Sequence, residues 1–143
     1  QPPTAAVIGV GADPNAIDFN REIERLKAKI DAGAEFIITQ PVFDIEPFHK
    51  FMQVIEDWKV PVIAGVWPLA SLRNALFMKN EVPGVLVPDS VVARIEKAQT
   101  REEQLACGIQ IAREAIEQLR GMVAGVQVSA PLGNVNAALA VME

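Results

Sequence analysis

The predicted fold class is α/β, with four parallel βα units, and three observations predict it. Short apolar runs alternate with amphipathic helical stretches along the 143 residues. The runs are continuously apolar rather than alternating, as parallel strands covered on both faces require. Each stretch is bounded by Gly, Pro, Asp, Ser, Thr or Asn at positions that stop or cap an element.

The first strand is read over Ala5 to Val10, in a run ending at Gly9 and Gly11. Phe19, Ile23, Leu26 and Ile30 then recur at helical spacing, with Asp18 as the cap and Gly33 as the stop. Phe36 to Gln40 is the second strand, closed by Pro41. Asp44 caps the next helix, whose buried stripe is Phe48, Phe51, Met52 and Ile55, and Pro47 is tolerated in its first turn. Val60 to Trp67 is the third strand, with Pro61 near its start, where a missing N–H does least harm. A helix over Ser71 to Lys79 follows, then a loop marked by Pro83, Gly84 and Pro88, then a short helix over Ser90 to Ala98. Thr100-Arg101-Glu102-Glu103 is a capping box that opens a long helix carrying Leu105, Ile109, Ala112, Ile116 and Leu119. Gly125 to Ala130 is the fourth strand, and Asn134 caps a last helix running towards Met142.

This pattern leaves two architectures open: a doubly wound sheet, or part of a (βα)8 barrel, which takes about 250 residues. Length alone reads as one domain. Thirteen Lys and Arg against 18 Asp and Glu give a net charge of −5, which argues against nucleic acid and anionic membrane surfaces. Half the residues are hydrophobic and 22% are charged, which excludes disorder as the main state. The single cysteine, Cys107, excludes a disulfide framework and a cysteine-rich zinc site. A soluble, cytoplasmic protein is expected, with no metal. Gln1-Pro2-Pro3 is neither an initiator Met nor a signal peptide, so the chain is expected to have been cut from something longer.

In either architecture, chemistry belongs at the C-terminal ends of the strands. Gly11, Ala12, Asp13 and Pro14 stand there after the first strand, Gln40, Pro41 and Asp44 after the second, Trp67 and Pro68 after the third, and Ser129 to Pro131 after the fourth. These groups suit hydrogen bonding to a planar polar ligand. They contain no nucleophile–base pair and no metal cluster. Gly9-Val10-Gly11 lacks the third glycine of a dinucleotide fingerprint, so it reads as a tight turn. His49 reads as solvated, Cys107 as packing, and Trp67 as a plug over the core. Gln40 carries both a donor and an acceptor on a long arm at a strand end.

Asp31 to Asp44, with the sequence Asp-Ala-Gly-Ala-Glu-Phe-Ile-Ile-Thr-Gln-Pro-Val-Phe-Asp, resembles the central signature of methylenetetrahydrofolate reductases, and Val62 to Pro68 resembles that family's next strand. Gly9 to Ala16 and Gly125 to Pro131 are most similar to the branch in which the reductase follows a homocysteine S-methyltransferase module, a branch tied to methionine biosynthesis. The resemblance runs over essentially the whole chain. It implies that residues 1–143 are the C-terminal half of a (βα)8 TIM barrel, strands five to eight with their helices. It also implies FAD, NAD(P)H as hydride donor, and reduction of 5,10-methylenetetrahydrofolate to 5-methyltetrahydrofolate. The N-terminal half, holding the family's glutamate general acid, is then a required partner, and no catalytic residue is expected in this chain, which alone should be inactive.

Carried over position by position, the resemblance makes Gln40 a contact for folate and nicotinamide. Asn74 stands where some members have a folate-contacting glutamine. Lys29 matches a flavin-contacting lysine, and Asp13, Ala16, Glu22 and Arg25 fall on other flavin-shell positions. Asp13 replaces a histidine common among relatives, and Gly9 or Val10 replaces a tyrosine. Ser129-Ala130-Pro131-Leu132-Gly133 stands in place of an aromatic and Leu-Asn-Arg pattern. Two other expectations come from the fold class itself: an inactive half-barrel that forms homo-oligomers through its strand edges, and a small-ligand binder of the doubly wound type.

Overall fold

Four strands lie in one sheet in the order of the sequence, all parallel, in a computed structural model that describes residues 4–143. They are β1 (Gly9–Ala12), β2 (Phe36–Pro41), β3 (Val62–Val66) and β4 (Gly125–Val128). The helices are α1 (Phe19–Asp31), α2 (Ile45–Ile55), α3 (Leu72–Glu81), α4 (Asp89–Glu96), α5 (Arg101–Leu119) and α6 (Val135–Met142). The expected α/β class with four parallel βα units is what is found. The reading of Gln1-Pro2-Pro3 lies outside the described residues.

Local chemistry sets most boundaries. Asp18, Asp44, Ser71 and Asn134 each accept a backbone N–H at the start of their helix, as N-caps do. At the start of α5, Thr100 and Glu103 form the reciprocal capping box. Gly33 closes α1 at φ +110°, and the N–H groups of Gly33 and Ala34 bond back to Ile30 and Lys29.

Several boundaries differ from expectation. The first strand pairs over Gly9–Ala12 rather than from Ala5. The reason is that β2 begins only at Phe36, so the ladder runs out just before it, where the N–H of Glu35 bonds the Ile8 carbonyl at 2.8 Å. Strand β3 starts at Val62, behind Pro61, and β4 stops at Val128, opposite the last residue of β3. Helix α4 starts at Asp89 rather than Ser90, with Pro88 in the cap position.

The interior divides into two apolar clusters. The larger joins Ile37, Val62, Ala64 and Val66 of the sheet to Leu26, Phe48, Phe51, Ile55, Ala112 and Leu119 of the helices. The other lies under the segment from Leu69 to Ile95 and takes in Met78, Val87 and Ile111.

Between β2 and β3 the register shifts between Ile38 and Pro41. Here the buried Thr39 hydroxyl accepts the N–H of Gly65 at 3.1 Å and donates to the Gln40 carbonyl at 3.0 Å. A side chain thus replaces a ladder bond, and the backbones come close: a Cβ on Gly65 would sit 2.5 Å from the Thr39 carbonyl oxygen. Thr39→Val should therefore strand the buried Gly65 N–H and cost about 1–3 kcal/mol. Urea unfolding measures this, and an unchanged midpoint would show that the hydroxyl bears no load.

Candidate functional site

The register shift lies next to Gln40, and it sets where that side chain emerges. Gln40 is exposed at the C-terminal end of β2. It lines a cavity of about 580 Å³ whose wall also includes Trp67, Asn74, Phe77, Gln127 and Ser129. The strand ends of β2, β3 and β4 and the first turns of α3 thus converge on one space. The two residues proposed from sequence as substrate contacts, Gln40 and Asn74, are brought together there.

Asn74 is held firmly. Its Oδ1 accepts the Ala70 N–H at 3.1 Å, and its own N–H donates to Ser71 Oγ at 3.1 Å. That leaves its amide NH2 as the group available to a ligand. Gln40 has no side-chain hydrogen bond among the described residues, so its donor and acceptor are both free. Trp67 is half-buried and also packs on the second apolar cluster, so the indole plugs the core and walls the cavity at once. Its Nε1–H is buried with no acceptor among the described residues.

Five other residues, Asp13, Ala16, Glu22, Arg25 and Lys29, lie apart from this cavity, around the end of β1 and along α1. Glu22, Arg25 and Lys29 fall at helical spacing on one side of α1. Two of them bind the chain itself: Glu22 accepts the Asp13 N–H at 3.0 Å, and the Lys29 ammonium donates to the Gly11 carbonyl at 2.8 Å. Ala16, with Pro14, Phe19, Asp44, Lys50 and Leu86, lines a second cavity of about 590 Å³. Burial raises the Asp13 carboxyl above the usual carboxylate range; the Asn15 N–H on its Oδ1 opposes this, and the Glu22 carboxylate adds to it.

The loop between α3 and α4 links the two regions. Val82 and Val85 wall the Gln40 cavity, while Gly84 lies against Asp13. At φ +78°, a Cβ on Gly84 would stand 2.4 Å from Asp13 Oδ2. Gly84→Ala should cost about 1–2 kcal/mol from its backbone conformation alone, with a further loss from displacing Asp13. In the Asp13→Ala background only the second part should disappear, which a double-mutant cycle in urea measures; strict additivity would mean that the two groups do not meet.

Phe77, Val82, Val85 and Gln127 were not foreseen as site residues. Phe77 carried a signal, since it is a large aromatic left exposed on a helix. Cys107 is half-buried against the second cluster, and His49 is exposed, as read from sequence. Among the described residues, no group of three or more His, Cys, Asp or Glu gathers as a metal site. Nor is any helix long and apolar enough to cross a membrane.

The profile of the methylenetetrahydrofolate reductase family matches residues 9–130. A probable methylenetetrahydrofolate reductase (NADH) of Oryza sativa subsp. japonica is 29% identical over 116 residues, which is 76% of this chain and 18% of the rice protein. Methylenetetrahydrofolate reductase (NADH) 1 of Arabidopsis thaliana is 30% identical over 108 residues, 71% of this chain and 17% of that protein. The chain therefore spans less than a fifth of the length of these relatives. Among solved structures, a chain described as an uncharacterized protein from Clostridium thermocellum that binds two copies of 5-methyl-5,6,7,8-tetrahydrofolic acid superposes with a TM-score of 0.61 at 21% identity. The match covers 94% of this chain and 51% of that one, and it shows a shared fold.

Proposed function

The chain belongs to the methylenetetrahydrofolate reductase family, and on that premise we propose that it is the second half of a reductase barrel that converts 5,10-methylenetetrahydrofolate to 5-methyltetrahydrofolate. The observation that carries the proposal is the shared cavity at the strand ends, where the free amide of Gln40 faces the same space as the anchored amide of Asn74. A pterin ring presents adjacent donors and acceptors on one planar edge, and a primary amide answers both with a single side chain. The carboxamide of a nicotinamide offers the same pair, so Gln40 can serve the two ligands in turn. Phe77 and Trp67 supply the apolar surface that such rings need.

FAD in this reading supplies the hydride relay from NAD(P)H to the folate. The residues around β1 and α1 fit the diphosphate end of that cofactor. Lys29 keeps two N–H donors beyond its bond to Gly11, and Arg25 is exposed with no ion-pair partner among the described residues. Ala16 leaves room in its cavity for an adenosine moiety. Glu22 and Asp13 hold each other in place, and their part is to fix the end of β1. Proton delivery is assigned to the first half of the barrel, because no described residue of the Gln40 cavity is a carboxylic acid.

The test is to co-express the chain with the first four βα units of a family barrel. The assembled protein should show a bound-flavin absorbance spectrum and oxidise NAD(P)H, while the chain alone should do neither. An assembled barrel that takes up no flavin would overturn the reading.

A further inference from the structure

We propose that Leu132 is an apolar contact for the folate ring, held at the Gln40 cavity by a strained backbone. The inference deepens the reductase reading of that cavity and rests on it. Three observations carry it.

The first is position. Leu132 lies in the turn between β4 and α6 and lines the cavity of about 580 Å³ together with Gln40, Trp67, Asn74 and Phe77. Trp67 and Phe77 come from the end of β3 and from α3. Leu132 is the apolar side chain that the β4 end contributes, beside the polar Gln127 and Ser129. Among the described residues, no side chain lining this cavity is charged. What these walls offer a ring is neutral hydrogen bonds and apolar area, so each apolar wall carries a large share of the affinity.

The second is the backbone. Leu132 stands at φ 51° and ψ 30°, in the left-handed region, where the Cβ of an L-residue crowds the following carbonyl oxygen. Among the described residues, the other non-glycine at positive φ is Lys59, which ends a short helical turn. Neighbouring contacts impose the conformation on Leu132. Pro131, just before it, is fully buried. The Gly133 N–H bonds the Ala130 carbonyl at 3.2 Å, and the Asn134 N–H bonds the Pro131 carbonyl at 2.9 Å. Asn134 in turn caps α6 by accepting the Ala137 N–H at 3.1 Å. Gly133 is also at positive φ and meets that geometry without a Cβ. Glycine would suit position 132 as well, yet a leucine stands there.

The third is that the core does not use this side chain. Neither apolar cluster of the interior includes Leu132. A bulky residue kept in an unfavourable conformation, outside the core and at the wall of a cavity, marks a functional contact. Leu132 shares its space with the amides of Gln40 and Asn74, so the partner it meets is the one those amides hold.

The experiment is equilibrium dialysis of 5-methyltetrahydrofolate against the assembled barrel, with flavin content and urea unfolding measured on the same samples. Leu132→Gly keeps the left-handed turn and removes the contact. It should weaken folate binding about tenfold, while the urea midpoint holds or rises and flavin content stays the same. Leu132→Met keeps the apolar volume and should retain most of the affinity. A side chain that serves only the fold, or the joint with the first half-barrel, would behave differently: Leu132→Gly would lower the midpoint or the flavin content. That result overturns the proposal. Unchanged folate binding by Leu132→Gly also overturns it and leaves the reductase reading standing. An unmodified barrel that takes up neither flavin nor folate overturns the reductase reading, and the proposal falls with it.

Discussion

Gly108→Ala should destabilise the chain by about 3 kcal/mol or more, reversing the usual sign of such a change. In the middle of a helix, glycine to alanine ordinarily gains about 1 kcal/mol. Gly108 lies in α5, and its bare Cα faces the loop that follows β3. A Cβ there would stand 1.8 Å from the Leu69 carbonyl oxygen and within 3.0 Å of its carbonyl carbon and nitrogen. Those atoms are backbone, and Leu69 is fully buried in the second cluster, so nothing flexible can yield. The loop or the helix must move instead, and that loop carries Trp67 at the cavity wall. Ala106→Gly, on the exposed side of the same helix, provides the control and should cost only about 1 kcal/mol. Urea denaturation of the two variants decides the matter; if Gly108→Ala were the more stable, the packing of α5 against Leu69 would be wrong.

Gln40→Leu should lower folate-dependent turnover in the assembled barrel by about ten- to a hundredfold, with little effect on folding. Gln40 is exposed and free of intrachain hydrogen bonds, so its loss leaves no buried group unpaired, and stability should stay within about 0.5 kcal/mol. A bound pterin would instead lose both partners of its polar edge. Gln40→Glu separates the two roles. It keeps the acceptors, removes the NH2 donors and adds a charge, so ligand groups that need a donor should suffer most. Steady-state assays varying folate and NAD(P)H independently measure each contribution. Unchanged kcat/KM for both ligands would remove Gln40 from the site. By contrast, Thr39→Val should lower stability and turnover together, because it loosens the backbone from which Gln40 projects.

The alternation of elements, the caps and the core stripes were legible in the sequence because they depend on neighbours a few residues apart. Asp18, Asp44, Thr100 and Asn134 act within one helical turn, and Leu26, Phe48, Phe51 and Leu119 repeat with the helical period. Gln40 was legible as a candidate for a similar reason: a strand end is defined by its own flanking residues.

Only the tertiary structure decided what meets what. Thr39 replaces a ladder bond to Gly65, Gly84 lies on Asp13, Gly108 lies on Leu69, and Glu22 holds the Asp13 backbone. Each pairs residues on different elements, and nothing in the local pattern of either partner encodes the other. A glycine at close approach reads in sequence as a turn or a helix weakness, because the atom that forbids a Cβ belongs to a distant segment. The cavity follows the same rule. Its amides were visible one at a time, while its walls at Phe77, Val82 and Val85 come from a helix and loop folded over the strand ends. The sequence by itself determined the units of this arc and the side chains at its mouth. Packing between distant segments decided which of those side chains share one space.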